Sequence, residues 1–225
     1  MELLQRIGSR RIELTDFIEK VEGNPFMRGA LVNVVKLTER YGDPYLDLCE
    51  VMLTAVKKMG TNPEDAFLEY IYHYVRDLGS FQKTGKYDNG SFEEIKRKIY
   101  DNENLMMDTY LPGLFLGYGF TLILHEKFKF FEREFASKLR PHQEGCEIGF
   151  GDGFYLWCML RGDPAFKVSG FDISPHAIEF SRMLFARSGI SETRYVFIKQ
   201  FHQAAFAGPR DPTAGYGCSM FNAIL

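Results

Sequence analysis

Residues 146–155 read CEIGFGDGFY, an acid at Glu147 followed by glycines at every second position, Gly149, Gly151 and Gly153. Glycine recurs this way where a chain must turn tightly or where something approaches the backbone too closely for a side chain. Downstream, short apolar runs at 146–150, 167–172, 195–199 and 218–222 have strand character and alternate with helical patterns at 154–161 and 176–188. Ser174 stands at an N-cap and Pro175 at the first helical position of the second of these. Strands alternating with helices imply parallel pairing in an α/β sheet, with ligand sites at the carboxyl ends of the strands. The 146–155 segment therefore reads as the first strand, its glycine turn and the start of a helix whose free N–H groups and positive dipole end favour an anionic or nucleotide ligand.

Which ligand depends on the spacing. The dinucleotide fingerprint is G-x-G-x-x-G, but here the third glycine comes one position early and Phe154 fills the required slot, which points away from NAD and FAD. GSFQKTGKY at 79–87 has the look of a phosphate-binding loop. Five residues rather than four separate its glycines, however, and Tyr87 replaces the hydroxyl residue that would hold magnesium, so it is set aside. Asp172, in SGFDIS at the end of the second strand, lies about 20 residues beyond the glycines, where an acid beside the first strand can accept hydrogen bonds from both ribose hydroxyls.

CEIGFGDG together with GFDISPHAIEFSR (170–182) resembles motifs I and II of the class I S-adenosylmethionine-dependent methyltransferases. YGCSMFNAIL (216–225) is similar to that family's fourth strand, although Gly217 stands where an aspartate is usual. The resemblance covers residues 144–225 and implies an α/β fold, a partial Rossmann-like class I methyltransferase sheet preceded by an all-helical N-terminal domain. It implies S-adenosylmethionine as cofactor, with backbone approach at Gly149, Gly151 and Gly153, Glu147 receiving a hydrogen bond from the amino end, Asp172 holding the ribose and Ile173 lying against adenine. FIKQFHQAA (197–205) has no acid to contact adenine and offers only Gln200, His202 or Gln203 there. Methyl transfer to a small-molecule substrate needs alignment and desolvation more than a dedicated catalyst, and requires no metal. The motifs name neither a catalytic base nor a methyl acceptor.

Residues 1–140 have helical periodicity and are expected to form a cap or substrate domain, with 141–225 as the cofactor-binding part. Leu46, Cys49, Leu53 and Val56, and likewise Phe67, Ile71, Tyr74 and Leu78, recur at spacings of three and four, each set on one helix face. Asn62 before Pro63 reads as an N-cap, and a further helix is expected at 122–139. The longest apolar stretch, LPGLFLGYGFTLIL at 111–124, is broken by glycines and a proline and reads as a buried helix. Tyr87, Tyr110 and Tyr118 lie in segments interrupted by glycine or proline. Their hydroxyls and rings suit a carboxylate, a polar group or a sulfonium, so they are candidate substrate contacts, with Asn222 as a fourth.

The 225 residues are 45% apolar and 25% charged with a net charge of -3, an ordinary globular composition without the basic footprint of a nucleic-acid binder. No run reaches the roughly 20 apolar residues that span a bilayer, and MELLQRIGSRRIEL at the start has no sustained apolar segment, so a cytoplasmic protein with no membrane contact is expected. Cys49, Cys146, Cys158 and Cys218 form no C-x-x-C pair and no zinc-ligand spacing with histidine, and read as reduced thiols. Trp157, Cys158 and Met159 read as core, and His125 and His176 as solvated or hydrogen-bonded side chains.

Three functions fit these residues. The first is methyl transfer to a small molecule. F-Q-x-T-G-x-Y (81–87) and Y-L-P-G-L (110–114) before the first strand are also similar to enzymes that cyclise S-adenosylmethionine to azetidine-2-carboxylate and methylthioadenosine. The third is an inactive or partner-dependent fragment, since a four-stranded sheet ending at NAIL (222–225) lacks the following helix and outer strands.

Overall fold

The computed structural model, which describes residues 2–86, 91–139, 143–199 and 217–219, begins with helices α1 (Glu2–Ile7), α2 (Ile12–Glu22), α3 (Arg28–Tyr41), α4 (Asp43–Lys58) and α5 (Pro63–Thr84). After α6 (Phe92–Ile95) come two wider, π-type segments, Lys96–Tyr100 and Leu105–Tyr110, then α7 (Leu111–Phe120) and α8 (Leu122–Glu134). Local chemistry sets the ends. Asn62 Oδ1 accepts from the Glu64 and Asp65 N–H groups at 3.0 and 3.4 Å, Pro63 occupies the first helical position, and Gly85 closes α5 in the left-handed region at φ 69°.

Leu46, Cys49, Leu53 and Val56 are all buried along α4, as their spacing requires. The matching set on α5 is buried only at Phe67; Tyr74 is 47% exposed. Packing partners explain the difference. At about 1.5 Å per residue, the 22 residues of α5 run about 33 Å and the 10 of α7 about 15 Å, so α7 and the short Leu105–Tyr110 segment before it, which also packs on α5, together fall short of its length. Where the two helices do meet they meet closely: a Cβ on Gly113 would stand 2.4 Å from Tyr70 Cβ and 2.6 Å from the Ala66 carbonyl oxygen. The glycines of LPGLFLGYG thus permit helix-to-helix approach. Tyr45 Oη donates to the Gly119 carbonyl at 2.8 Å, and Phe17 stacks on Phe120 at 4.3 Å.

The helix expected at 122–139 ends at Glu134, and a single 3₁₀ turn, Ala136–Lys138, follows. Contacts divide the chain into compact units Met1–Lys127 and Phe128–Leu225, so the division falls inside α8 rather than at the 140/141 position read from the sequence. The reason lies in the aromatic side chains of its second half. Phe128 meets Phe154 at 5.1 Å and Phe131 meets Tyr155 at 4.6 Å, which ties this part of the helix to the sheet-bearing unit.

That unit is α/β, with strands β1 (Glu144–Ile148), β2 (Lys167–Phe171), β3 (Tyr195–Ile198) and β4 (Gly217–Ser219), helix α9 (Phe154–Gly162) after β1 and α10 (Pro175–Arg187) after β2. The strands pair in the order β3-β2-β1-β4, all parallel. Phe150, Leu156, Phe180, Leu184 and Phe185 are fully buried, and Phe150 stacks on Phe197 at 4.8 Å. Gly170 in β2 leaves the room these rings use, since a Cβ there would lie 2.7 Å from Phe150 and 2.8 Å from Phe197. Trp157 and Met159 are core residues, as their composition suggests.

Candidate functional site at the glycine turn

Strand register builds the site. Ile148 pairs with Phe171, and Phe171 with Ile198, so the turn after β1 and the acid after β2 leave the sheet side by side at its carboxyl edge. Gly149 N–H donates to the Phe171 carbonyl at 2.7 Å, and Asp172 N–H to the Ile198 carbonyl at 3.2 Å. The turn then passes through three left-handed glycines, Gly149 (φ 68°), Gly151 (φ 55°) and Gly153 (φ 71°), before α9 starts.

Asp172 is fixed at both oxygens. Oδ2 accepts from Gly151 N–H at 2.9 Å and Oδ1 from Ser174 N–H at 2.8 Å. Ser174 in turn caps α10, its Oγ accepting from Ala177 N–H at 3.2 Å. A carboxylate has about four lone-pair sites, so a carboxylate held in this way keeps acceptor capacity for a ligand. Ile173, next in the chain, is 44% exposed.

Glu147 is fully buried at the end of β1, and the neighbouring acid Asp152 is 2% exposed. Asp152 Oδ1 accepts from Phe154 N–H at 3.1 Å. Burial first, then the charges of Asp152 and Asp172, hold Glu147 well above the usual carboxylate range, against the pull of the Leu156 N–H. Burial raises Asp152 to about 7, outweighing N–H donation from Phe154 and from its own backbone. Burial also raises Asp172, which the N–H groups of Ser174, Gly151 and Ile173 partly offset.

The three glycines do different things. A Cβ on Gly151 would meet no described residue within 4 Å, whereas one on Gly153 would stand 2.6 Å from Ser181 Oγ on α10. Gly153, to which the resemblance gives backbone approach by a cofactor, also lets α10 come close. The structure thus brings together Glu147, Gly149, Gly151, Gly153, Asp172 and Ile173, and adds Asp152, which lies between two glycines and reads in sequence as an ordinary turn residue. Tyr110 is half-buried against Tyr70 in the helical unit, their rings 6.5 Å apart, and Tyr118 is buried in that unit's core. Tyr87 and Asn222, with Gln200, His202 and Gln203, lie outside the described residues.

No family model, curated protein or solved structure matches the chain.

Among the described residues no helix is long and apolar enough to cross a membrane, and no group of three or more His, Cys, Asp or Glu side chains could hold a metal ion. An open groove of about 290 Å³ in the helical unit is lined by Glu13, Lys20, Lys57 and Glu64 among others. Four of its charges are paired, Lys20 with Glu64 at 2.7 Å and Lys57 with Glu13 at 2.6 Å, and Asp16 also lines it. His125, buried, hydrogen-bonds through Nδ1 to the Tyr118 carbonyl at 2.9 Å, as expected of a core histidine.

The raised carboxyls make stability pH-dependent in a definite direction. Between the unfolded carboxyl value of about 4 and the folded value of about 7 at Asp152, the native state holds protons that the unfolded chain has lost. Stability therefore falls as pH rises through that window, by up to about 1.4 kcal/mol per pH unit for each such group. Trp157 is the chain's single tryptophan and lies in this unit. Urea midpoints followed by its fluorescence are expected to be higher at pH 5 than at pH 8, and Asp152→Asn to shrink the difference; a flat profile would contradict the burial of these acids.

Proposed function

We propose that the chain is an S-adenosylmethionine-dependent methyltransferase acting on a small molecule, with a Rossmann-like sheet of which β3-β2-β1-β4 is the described part. The observation that carries this reading is the Asp172 carboxylate, tied to Gly151 N–H at 2.9 Å at the carboxyl edge of parallel strands. An acid tied to the glycine turn in this way suits a ribose, whose two hydroxyls both need acceptors. The surrounding residues fit an adenosyl group with an amino-acid tail. No described residue stands within 4 Å of a Cβ on Gly151, exposed Ile173 offers an apolar face for a base, and buried acids Glu147 and Asp152 suit an ammonium.

The cofactor supplies an electrophilic methyl carbon, activated by its sulfonium. The chain's own work is to hold and orient. Asp172 accepts from the ribose hydroxyls, Glu147 accepts from the amino end, and the turn N–H groups fix the carboxylate that does the holding. Equilibrium binding tests the reading: S-adenosylmethionine and S-adenosylhomocysteine are expected to bind, and binding of neither would overturn it.

One observation favours a second reaction on the same cofactor. Cyclisation to azetidine-2-carboxylate needs the substrate's own amine freed of its extra proton. Asp152, whose buried Oδ2 has no hydrogen-bond partner among the described residues and whose carboxyl burial raises to about 7, is a suitable acceptor. Incubation with S-adenosylmethionine alone separates the two readings. Methylthioadenosine formed without an acceptor marks cyclisation, and S-adenosylhomocysteine formed only with an acceptor marks methyl transfer.

A further inference from the structure

Asp152 poses a problem that its turn position does not solve. Its Oδ1 caps the start of α9, but Oδ2 is buried and has no hydrogen-bond partner among the described residues. Buried acceptors are nearly always satisfied, because stripping water from such a group without replacement is costly. A second acid adds to the problem. Glu147 lies within electrostatic reach of Asp152, and the Leu156 N–H that turns toward Glu147 belongs to the same first turn of α9 as the Phe154 N–H held by Asp152. Both carboxyls thus act at one helix start, and Asp152 follows Gly151, where a Cβ would meet no described residue within 4 Å.

We infer that Asp152 is a second acceptor, with Glu147, for the ammonium of the bound adenosyl amino acid, and that arrival of this ammonium expels a proton the two carboxyls hold in the free protein. The inference rests on the cofactor reading above, since the ammonium is that ligand's. Its logic is charge balance in a dry place. Two ionised carboxylates side by side repel, so the empty pair keeps a proton; an ammonium replaces that proton's charge and lets both ionise, while the α9 N-terminus supports the negative charge. The proton passes to solvent. Among the described residues, the other titratable groups around the pair are Asp172 after β2 and Cys158 on α9, with Arg161 of α9 and Glu132 of α8 acting on Cys158.

The test is calorimetric titration of the 225-residue chain in buffers of different ionisation enthalpy. S-adenosylhomocysteine carries the ammonium, and 5′-methylthioadenosine keeps the adenosyl part but lacks the amino acid. At pH 6.5 the first is expected to release close to one proton and the second none, and between pH 8 and pH 6 affinity for the first is expected to fall about tenfold while the second stays level. Asp152→Asn is expected to weaken S-adenosylhomocysteine about tenfold at pH 8, to reduce the proton release to what Glu147 alone gives up, and to leave 5′-methylthioadenosine unchanged. Should the asparagine variant not fold, Asp152→Ser retains an oxygen for the Phe154 N–H and takes its place. A wild-type chain that binds S-adenosylhomocysteine without proton release, or a variant that keeps wild-type release and affinity, overturns the inference and leaves the cofactor reading standing. A chain that binds neither nucleoside overturns both.

Discussion

Asp172→Ala is expected to weaken S-adenosylmethionine, S-adenosylhomocysteine and 5′-methylthioadenosine alike, each by about 100-fold or more. Two hydrogen bonds from ribose hydroxyls to a charged acceptor contribute about 1.5–3 kcal/mol each, so their joint loss corresponds to two decades of affinity or beyond. The three ligands share the ribose, which is why their losses should match. That pattern distinguishes Asp172 from Asp152, whose replacement should affect only ligands bearing the amino acid. Alanine also strands the Gly151 and Ser174 N–H groups that the carboxylate now receives, so the turn itself loosens. Asp172→Asn keeps an acceptor oxygen and should fall between wild type and alanine. Calorimetry gives the affinities, and urea unfolding followed at Trp157 shows how much of the loss comes from the fold. Unchanged affinity for all three nucleosides in a folded Asp172→Ala chain would remove the ribose role from this residue.

Why the sequence pointed to Asp172 and passed over Asp152 has a physical answer. Asp172 follows a strand at a distance from the glycines that parallel register converts into adjacency, and register follows from local pattern: Ile148 opposite Phe171 makes neighbours of what comes after each. Asp152 has no such signal, because an aspartate between glycines is an ordinary turn choice until the surrounding side chains bury it. The glycines divide in the same way. Their left-handed φ values explain why the residue type recurs, but only tertiary neighbours show that Gly153 faces α10 while a Cβ on Gly151 meets no described residue within 4 Å. In the helical unit, the apolar face of α4 was legible because its partners cover its length. The end of α5 was not, since the reach of α7 and of the Leu105–Tyr110 segment before it decides which of its aromatics find cover. Gly113 and Gly117 looked like interruptions in an apolar run. In the fold they are the places where Tyr70 comes close.

Gly153→Ala should be among the most damaging single changes in the sheet-bearing unit, destabilising it by about 2–5 kcal/mol through two additive causes. The first is backbone: at φ 71° an L-residue with a Cβ costs about 1–2 kcal/mol relative to glycine. The second is space. The new methyl would stand 2.6 Å from Ser181 Oγ, 3.1 Å from Ser181 Cβ and 3.5 Å from Phe185 Cε1, and Ser181 is fully buried with no solvent to turn toward. Overpacking of this kind costs about 1–3 kcal/mol. Gly151→Ala provides the control, since its φ of 55° carries the same backbone penalty while its Cβ meets no described residue within 4 Å. It should lose only about 1–2 kcal/mol of stability, yet weaken the cofactor more than Gly153→Ala does, because its methyl enters the space assigned to the ligand. Adding Ser181→Ala to Gly153→Ala should recover part of the packing cost, as the hydroxyl it removes is buried without a hydrogen-bond partner among the described residues. Urea midpoints of the three variants followed at Trp157, set beside their S-adenosylhomocysteine affinities, separate a glycine kept for a helix from a glycine kept for a ligand. Equal stability losses at both positions, with equal losses of affinity, would mean that the two glycines serve one purpose after all.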